Sequence, residues 1–95
     1  MPHYVILGRL TAKAKANPAE SLKSRDQLFE EYRKKGVKIT SYMTLGPYDV
    51  VNLVEAPSEQ LMLSFLFAAG AQGNIETTTL PAFTQEESDR LRRPT

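Results

Sequence analysis

The sequence predicts an α+β fold of the ferredoxin-like type, an antiparallel four-stranded sheet with two helices on one face. Segments of strand composition and segments with helix-start signals follow one another in the order βαββαβ. Right-handed crossovers place both helices of such a chain on the same face of the sheet. The 95 residues suffice for one hydrophobic core and make a second domain unnecessary.

The first half of the chain predicts a strand and a long helix. Residues 3–10 are rich in β-branched and aromatic side chains and are apolar on both parities, which indicates a strand covered on both faces. We expect residues 11–16 to form a flexible connection. Asn17 and Pro18 then stand in the order of a cap and a first-turn proline, so a helix should begin there and end at Gly36.

The second half predicts two strands, a helix and an edge strand. Residues 37–45 alternate apolar and polar side chains, which is the period of a strand, and residues 48–55 are apolar on both parities like the first strand. A second helix should follow Pro57 and continue to about residues 70–72. Residues 75–83 are rich in threonine, and Pro81 favours an edge position because it lacks a ladder donor.

The domain should span residues 1–83, and residues 84–95 should form a C-terminal tail. Thr84 and Glu87 have the spacing of a capping box, so the tail could hold a short helix that ends near Leu91.

Two apolar surfaces point to self-association. The helices cover one face of the sheet, yet the first and third strands carry apolar side chains on both faces. A monomer would therefore expose an apolar patch larger than the roughly 300–600 Å² common on soluble proteins. We therefore expect a homodimer, or a higher oligomer, that packs sheet against sheet. The second helix is apolar nearly all round, which indicates either a wide core face or a further interface; these side chains are Leu61, Met62, Leu63, Phe65, Leu66 and Phe67.

Composition excludes several classes of function. The net charge of +1 gives no general attraction to nucleic acid or to an anionic membrane. The absence of cysteine and the single histidine argue against a metal site, and no cofactor motif is present. The longest apolar stretch, residues 61–69, is too short to span a bilayer, and the amino terminus lacks a signal-peptide pattern. We expect a cytoplasmic protein without cofactor or metal.

The segment Gly46-Pro47-Tyr48-Asp49 can be interpreted as a turn or as a chemical site. A Gly-Pro step bends the chain, and the Asp49 carboxylate could accept backbone hydrogen bonds and lock the hairpin. Alternatively, Asp49 is a base or acceptor in a cleft, with Tyr48 or Tyr42 as donor.

Two further residues are candidates for ligand binding. His3 could act as an acid or a base, although a lone terminal histidine is more often solvated. Arg25 interrupts the apolar stripe of the first helix and could bind an anion or pair with Asp49. The alternative for Arg25 is an ordinary exposed side chain, for which the acidic residues nearby in sequence are Asp26, Glu30 and Glu31.

The chain resembles the GYD-domain family of small bacterial proteins. Its glycine, tyrosine and aspartate stand here as Gly46, Tyr48 and Asp49, and the resemblance also covers residues 4–5, 36, 42–51, 55–57, 73–74 and 76–83. It implies a ferredoxin-like domain that pairs as dimeric α/β-barrel proteins do, and it implies no general activity or cofactor. The chain departs from the family at three positions, Pro47 for a common acidic residue, Val37 for a second glycine and Met43 for a frequent tryptophan.

Three functions therefore remain open. The first is a homo-oligomeric domain that binds a small hydrophobic or aromatic molecule, or a protein partner. The second is a cofactor-independent enzyme, an oxygenase or isomerase, with Asp49 as the candidate catalytic residue; it rests on fold analogy. The third is a purely structural or assembly role.

Overall fold

A computed structural model of the chain describes residues 1–94. The strands in this part are β1 (His3–Leu10), β2 (Lys38–Met43), β3 (Val50–Glu55) and β4 (Ile75–Ala82). The helices are α1 (Ala12–Ala16), α2 (Pro18–Lys34), α3 (Glu59–Ala71) and α4 (Gln85–Arg92).

The four strands form one antiparallel sheet in the order β2-β3-β1-β4. In its register, Ile6 of β1 lies between Asn52 of β3 and Thr79 of β4. The apolar strands β1 and β3 are therefore central, and β4, which contains Pro81, is an edge strand. The predicted ferredoxin-like α+β fold is confirmed.

The core lies between one face of this sheet and helices α2 and α3. Phe65 of α3 is at its centre, with its ring centroid 5.1 Å from that of Tyr32 and 6.1 Å from that of Phe29. The Tyr32 hydroxyl and the Ser64 hydroxyl are hydrogen-bonded at 2.7 Å, which gives the buried phenol a partner. Burial of each such side chain contributes about 1.5–3 kcal/mol, so these contacts fix how the two helices sit on the sheet.

Residues 11–16 differ from the expected flexible connection. Residues Ala12–Ala16 form the short helix α1, and the Thr11 hydroxyl caps it by accepting a hydrogen bond from the N–H of Ala14 at 3.2 Å. Ala14 is buried, and Lys13 Nζ donates to the carbonyl of Gln72 at 2.7 Å. These long-range contacts stabilise a helix too short to be stable by itself.

The cap of α2 and the length of β2 also differ from the predictions. α2 follows Asn17 as expected, but the Asn17 side chain does not cap it; its Nδ2 donates to the carbonyl of Lys13. β2 is shorter than the predicted 37–45. The first inward positions, Val37 and Ile39, are buried, whereas the last, Leu45, is fully exposed.

The other face of the sheet is left without cover by residues 1–94. Strand alternation places Val5 and Leu7 on this open face, beside their neighbours Leu53, Val51 and Leu80 on the adjoining strands. Leu53 is 44% exposed and Leu80 is 45% exposed. We call this surface the open face below.

Candidate functional site

The predicted turn connects β2 to β3, and local hydrogen bonds hold it. Gly46 has a φ of +113°, a conformation that side chains with a Cβ rarely adopt. The N–H of Thr44 donates to the carbonyl of Asp49 at 2.9 Å, and the Thr44 hydroxyl donates to the carbonyl of Tyr48 at 2.7 Å. Thr44 therefore closes the turn from both its backbone and its side chain.

Asp49 is tied to the central strand β1. Its N–H donates to the carbonyl of Gly8 at 2.9 Å, and its carboxylate Oδ2 accepts from the N–H of Leu10 at 2.8 Å. The side chain of Asp49 thereby takes the place of a ladder carbonyl beyond the end of β3. In these contacts the carboxylate of Asp49 accepts a backbone hydrogen bond, as in the structural interpretation of this turn given under the sequence analysis.

Arg9 completes this cluster and was not singled out by the sequence. Its guanidinium lies over the Tyr48 ring at 4.9 Å from the centroid, and its Nε donates to the carbonyl of Pro47 at 2.8 Å. The sequence shows that Arg9 is a cation within an otherwise apolar strand. Its partner lies 38 residues away, however, so the contact cannot be predicted from neighbouring residues.

His3 lies at the opposite end of the sheet from Asp49. Its partner in β3 is Glu55, whereas Gly8 pairs with Val50, so His3 is about 17 Å along the strands from the turn. His3 Nε2 is 2.9 Å from Glu55 Oε1, and His3 Nδ1 is 3.9 Å from Glu87 Oε1. The structure therefore does not bring His3 together with Tyr48 and Asp49.

Glu87 belongs to the predicted capping box at the start of α4. Its carboxylate accepts from the N–H of Thr84 at 3.0 Å, and its own N–H donates to the Thr84 hydroxyl at 3.1 Å. The Thr84 backbone hydrogen bond lowers the pKa of Glu87 most, with smaller contributions from the Thr84 side chain and from nearby His3.

The remaining two predicted candidates lie on different surfaces. Tyr42 is exposed on the open face, opposite Val51. Arg25 Nη2 is 2.9 Å from the carboxylate of its neighbour Asp26, rather than near Asp49.

A cavity of about 270 Å³ lies between the sheet and the helices α1, α2 and α3. Its walls are mainly apolar and include buried Ile6, Leu28 and Phe65. Among the five predicted candidates, Arg25 alone lines it. The residues His3, Tyr42, Tyr48 and Asp49 lie outside its lining.

Asn52 is the polar residue buried in this cavity. The residue is 6% exposed, and its side-chain Oδ1 has no hydrogen-bond partner among residues 1–94. A buried acceptor without a partner costs about 1–3 kcal/mol. Asn52 was not among the predicted site residues, although its inward position between Val50 and Val54 is visible from the alternation of β3.

Residues 1–94 contain no group of three or more histidine, aspartate or glutamate side chains placed to hold a metal ion. Within the same range, no helix combines the length and the hydropathy needed to cross a membrane.

Solved structures share the fold. FFRP-DM1 superposes with a TM-score of 0.59 at 22% identity, over 87% of this chain and 100% of that one. TTHA0845 from Thermus thermophilus superposes with a TM-score of 0.56 at 24% identity, over 88% of this chain and 95% of that one. At these identities the likeness concerns the fold.

A relative of higher sequence identity and a family model show the family of this chain. The chain is 34% identical over 86 residues to the glutamine synthetase and cystathionine beta-lyase binding protein of Thermus thermophilus, covering 86% of this chain and 88% of the relative. The GYD domain model matches residues 4–91, which include β2 to β4 and most of β1 and α4. The turn with Gly46, Tyr48 and Asp49 lies within this match, and the chain belongs to the GYD domain family.

Proposed function

We propose that this chain acts by binding a protein partner, and that the partner is a metabolic enzyme. The observation that carries this proposal is the 34% identity, over most of both chains, to a protein named for its binding of glutamine synthetase and cystathionine beta-lyase. Both enzymes are therefore the first candidates to test.

We further propose that the open face binds a second copy of this chain. Leu53 and Leu80 are nearly half exposed there and lie on either side of Val5, on adjoining strands. A two-fold axis would bring the same apolar surface from both copies together, which is how homodimers bury such patches. This supports the dimer expected from the sequence.

The outer side of α3 is the proposed surface for the enzyme partner. Leu63 is 53% exposed and Phe67 is 71% exposed, although Met62 and Phe65 of the same helix are buried in the core. Leu63 and Phe67 are four residues apart and so lie on one side of the helix. Exposed aromatic and aliphatic side chains of this kind commonly anchor protein interfaces.

Calorimetric titration of the two purified enzymes with this chain tests the proposal. We expect the wild-type chain to bind one or both enzymes, and Leu63→Glu to weaken that binding at least tenfold. Leu45→Glu is the matched control, since Leu45 is fully exposed in the turn and away from α3. Absence of binding to both enzymes would overturn these partners, and equal loss in both variants would overturn the α3 surface.

A second candidate function is the binding of a small, mainly apolar molecule. It is favoured by the cavity of about 270 Å³ and by the unpartnered oxygen of Asn52 within it. The enzyme hypothesis gains no such support, because Asp49 does not line the cavity and its carboxylate is hydrogen-bonded to Leu10. For Asp49 and Tyr48 we propose a structural role in the turn.

A further inference from the structure

We propose that the cavity between sheet and helices binds an aromatic carboxylic acid whose ring carries an N–H donor, with the ring inside and the carboxylate at the mouth. This inference rests on the small-molecule binding proposed above and names the chemistry of the ligand. Three features of the cavity carry it: its size, the acceptor in its wall and the cations at its rim.

The size of the cavity fits a fused ring system. An apolar cavity of about 150 Å³ in another protein holds one benzene molecule, so a cavity of 270 Å³ has room for roughly ten non-hydrogen atoms. The buried walls include the rings of Phe29 and Phe65 and the side chains of Ile6 and Leu28. Aromatic and aliphatic walls favour a flat aromatic body by burial and ring contacts.

Asn52 places an acceptor without a partner in the wall of the cavity. Its neighbours along the inward face of β3, Val50 and Val54, are apolar and provide no hydrogen-bonding side chain. Within residues 1–94, the Oδ1 atom of Asn52 has no partner. The oxygen lies just beneath the cavity surface, and a rotation of the Asn52 amide would bring it to a ring N–H inside the cavity, whereas a purely hydrocarbon ligand would leave it unpaired.

The rim of the cavity is basic. Lys15 of α1 and Arg25 of α2 both line it, and both side chains reach solvent, in contrast to buried Asn52. Arg25 forms an ion pair with Asp26. The lysine ion pairs within residues 1–94 belong to Lys34 and Lys35, which leaves Lys15 available to a ligand carboxylate.

Indole-3-acetate is the test ligand, since it combines a fused ring, a ring N–H and a carboxylate. The chain contains no tryptophan, so the indole fluorescence reports the ligand directly. Naphthalene-1-acetate lacks the N–H, and 3-methylindole lacks the carboxylate. We expect wild-type protein to bind each of these two about tenfold more weakly than indole-3-acetate. Shifts of the Ile6 and Ile75 methyl resonances should place the ligand in the cavity, which both residues line.

Two variants assign the contacts. Asn52→Leu should abolish the preference for indole-3-acetate over naphthalene-1-acetate, and Lys15→Gln should abolish its preference over 3-methylindole. Lys23→Gln is the matched control, because Lys23 is exposed on α2 and does not line the cavity. Ala69→Leu fills the cavity from α3 while leaving Asn52 and Lys15 in place, and it should weaken all three ligands. Circular dichroism and thermal melts confirm that each variant is folded.

The outcomes separate this inference from the broader proposal. Binding of 3-methylindole or naphthalene-1-acetate as tightly as indole-3-acetate would overturn the ligand chemistry while the small-molecule site stands. Failure of all three probes to bind would overturn both. Preferences that persist in folded Asn52→Leu and Lys15→Gln would also overturn the assignment. Enzyme binding by the α3 surface is measured separately and does not depend on these results.

Discussion

The backbone N–H of Leu10 donates a hydrogen bond to the Asp49 carboxylate at 2.8 Å, across 39 residues of sequence. This bond joins the turn between β2 and β3 to the central strand β1. Together with the bond from the Asp49 N–H to the Gly8 carbonyl, it extends the β1–β3 pairing by one residue before Val50, where β3 begins. Asp49 therefore holds the turn in position at this end of the sheet.

Removal of this carboxylate should destabilise the fold. We expect Asp49→Ala to lower the free energy of unfolding by about 1–2 kcal/mol, because the Leu10 N–H loses a charged acceptor. Asp49→Asn keeps an acceptor and should cost less. Urea denaturation measures both, with Asp26→Ala as the control in which only an exposed ion pair is lost. An Asp49→Ala variant as stable as wild type would contradict the hairpin-lock role.

Two glycines with open space around them should respond in opposite directions to alanine. Nothing lies within 4 Å of a Cβ built on Gly46 or on Gly70. Gly46 has a φ of +113°, so Gly46→Ala should cost about 1–2 kcal/mol through backbone strain alone. Gly70 is inside α3, where alanine should stabilise by about 0.5–1 kcal/mol. Thermal unfolding of both variants is the measurement, and shifts of the same sign would contradict this reasoning.

The sequence predicted the order of the elements because their signals are local. The alternation in β2, the proline at the start of α2 and the capping box of Thr84 each lie within a few residues. The short helix α1 was not predicted, because five residues are too few to show a helical period. Its stability comes from distant contacts such as that of Lys13 with Gln72.

The candidate site was less predictable for the same physical reason. The contact of Arg9 with Tyr48 joins residues far apart in sequence. The inward position of Asn52 could be inferred from strand alternation, but a cavity beside it depends on how the side chains of α2 and α3 pack over the sheet. Arg25 lines that cavity because of this packing, whereas His3 and Asp49 are separated by the length of the paired strands.

A charge on the open face should dissociate the proposed homodimer. Leu53 is central on that face, between Val5 of β1 and Thr40 of β2 in the register. Leu53→Glu would bury a carboxylate in the interface and should yield monomer, whereas Leu45→Glu, outside the sheet, should leave the mass unchanged. Light scattering at micromolar concentration measures both. Wild-type protein that is monomeric, or a dimeric Leu53→Glu variant, would exclude this interface.

The capping box of α4 should make this helix sensitive to acid. Hydrogen bonds from Thr84 lower the pKa of Glu87 in the folded chain, so the stabilisation is fully present above the ordinary glutamate pKa of about 4.3. It is lost as the pH falls through the lowered value, because the protonated carboxyl accepts the Thr84 N–H less well. We expect the backbone chemical shifts of residues 85–92 to lose helical character over that acidic range.

Glu87→Gln is the control, because it keeps a capping side chain that does not titrate. The helix content of α4 in this variant should change less with pH than in the wild type. An acid transition of α4 identical in wild type and Glu87→Gln would show that another carboxylate controls it.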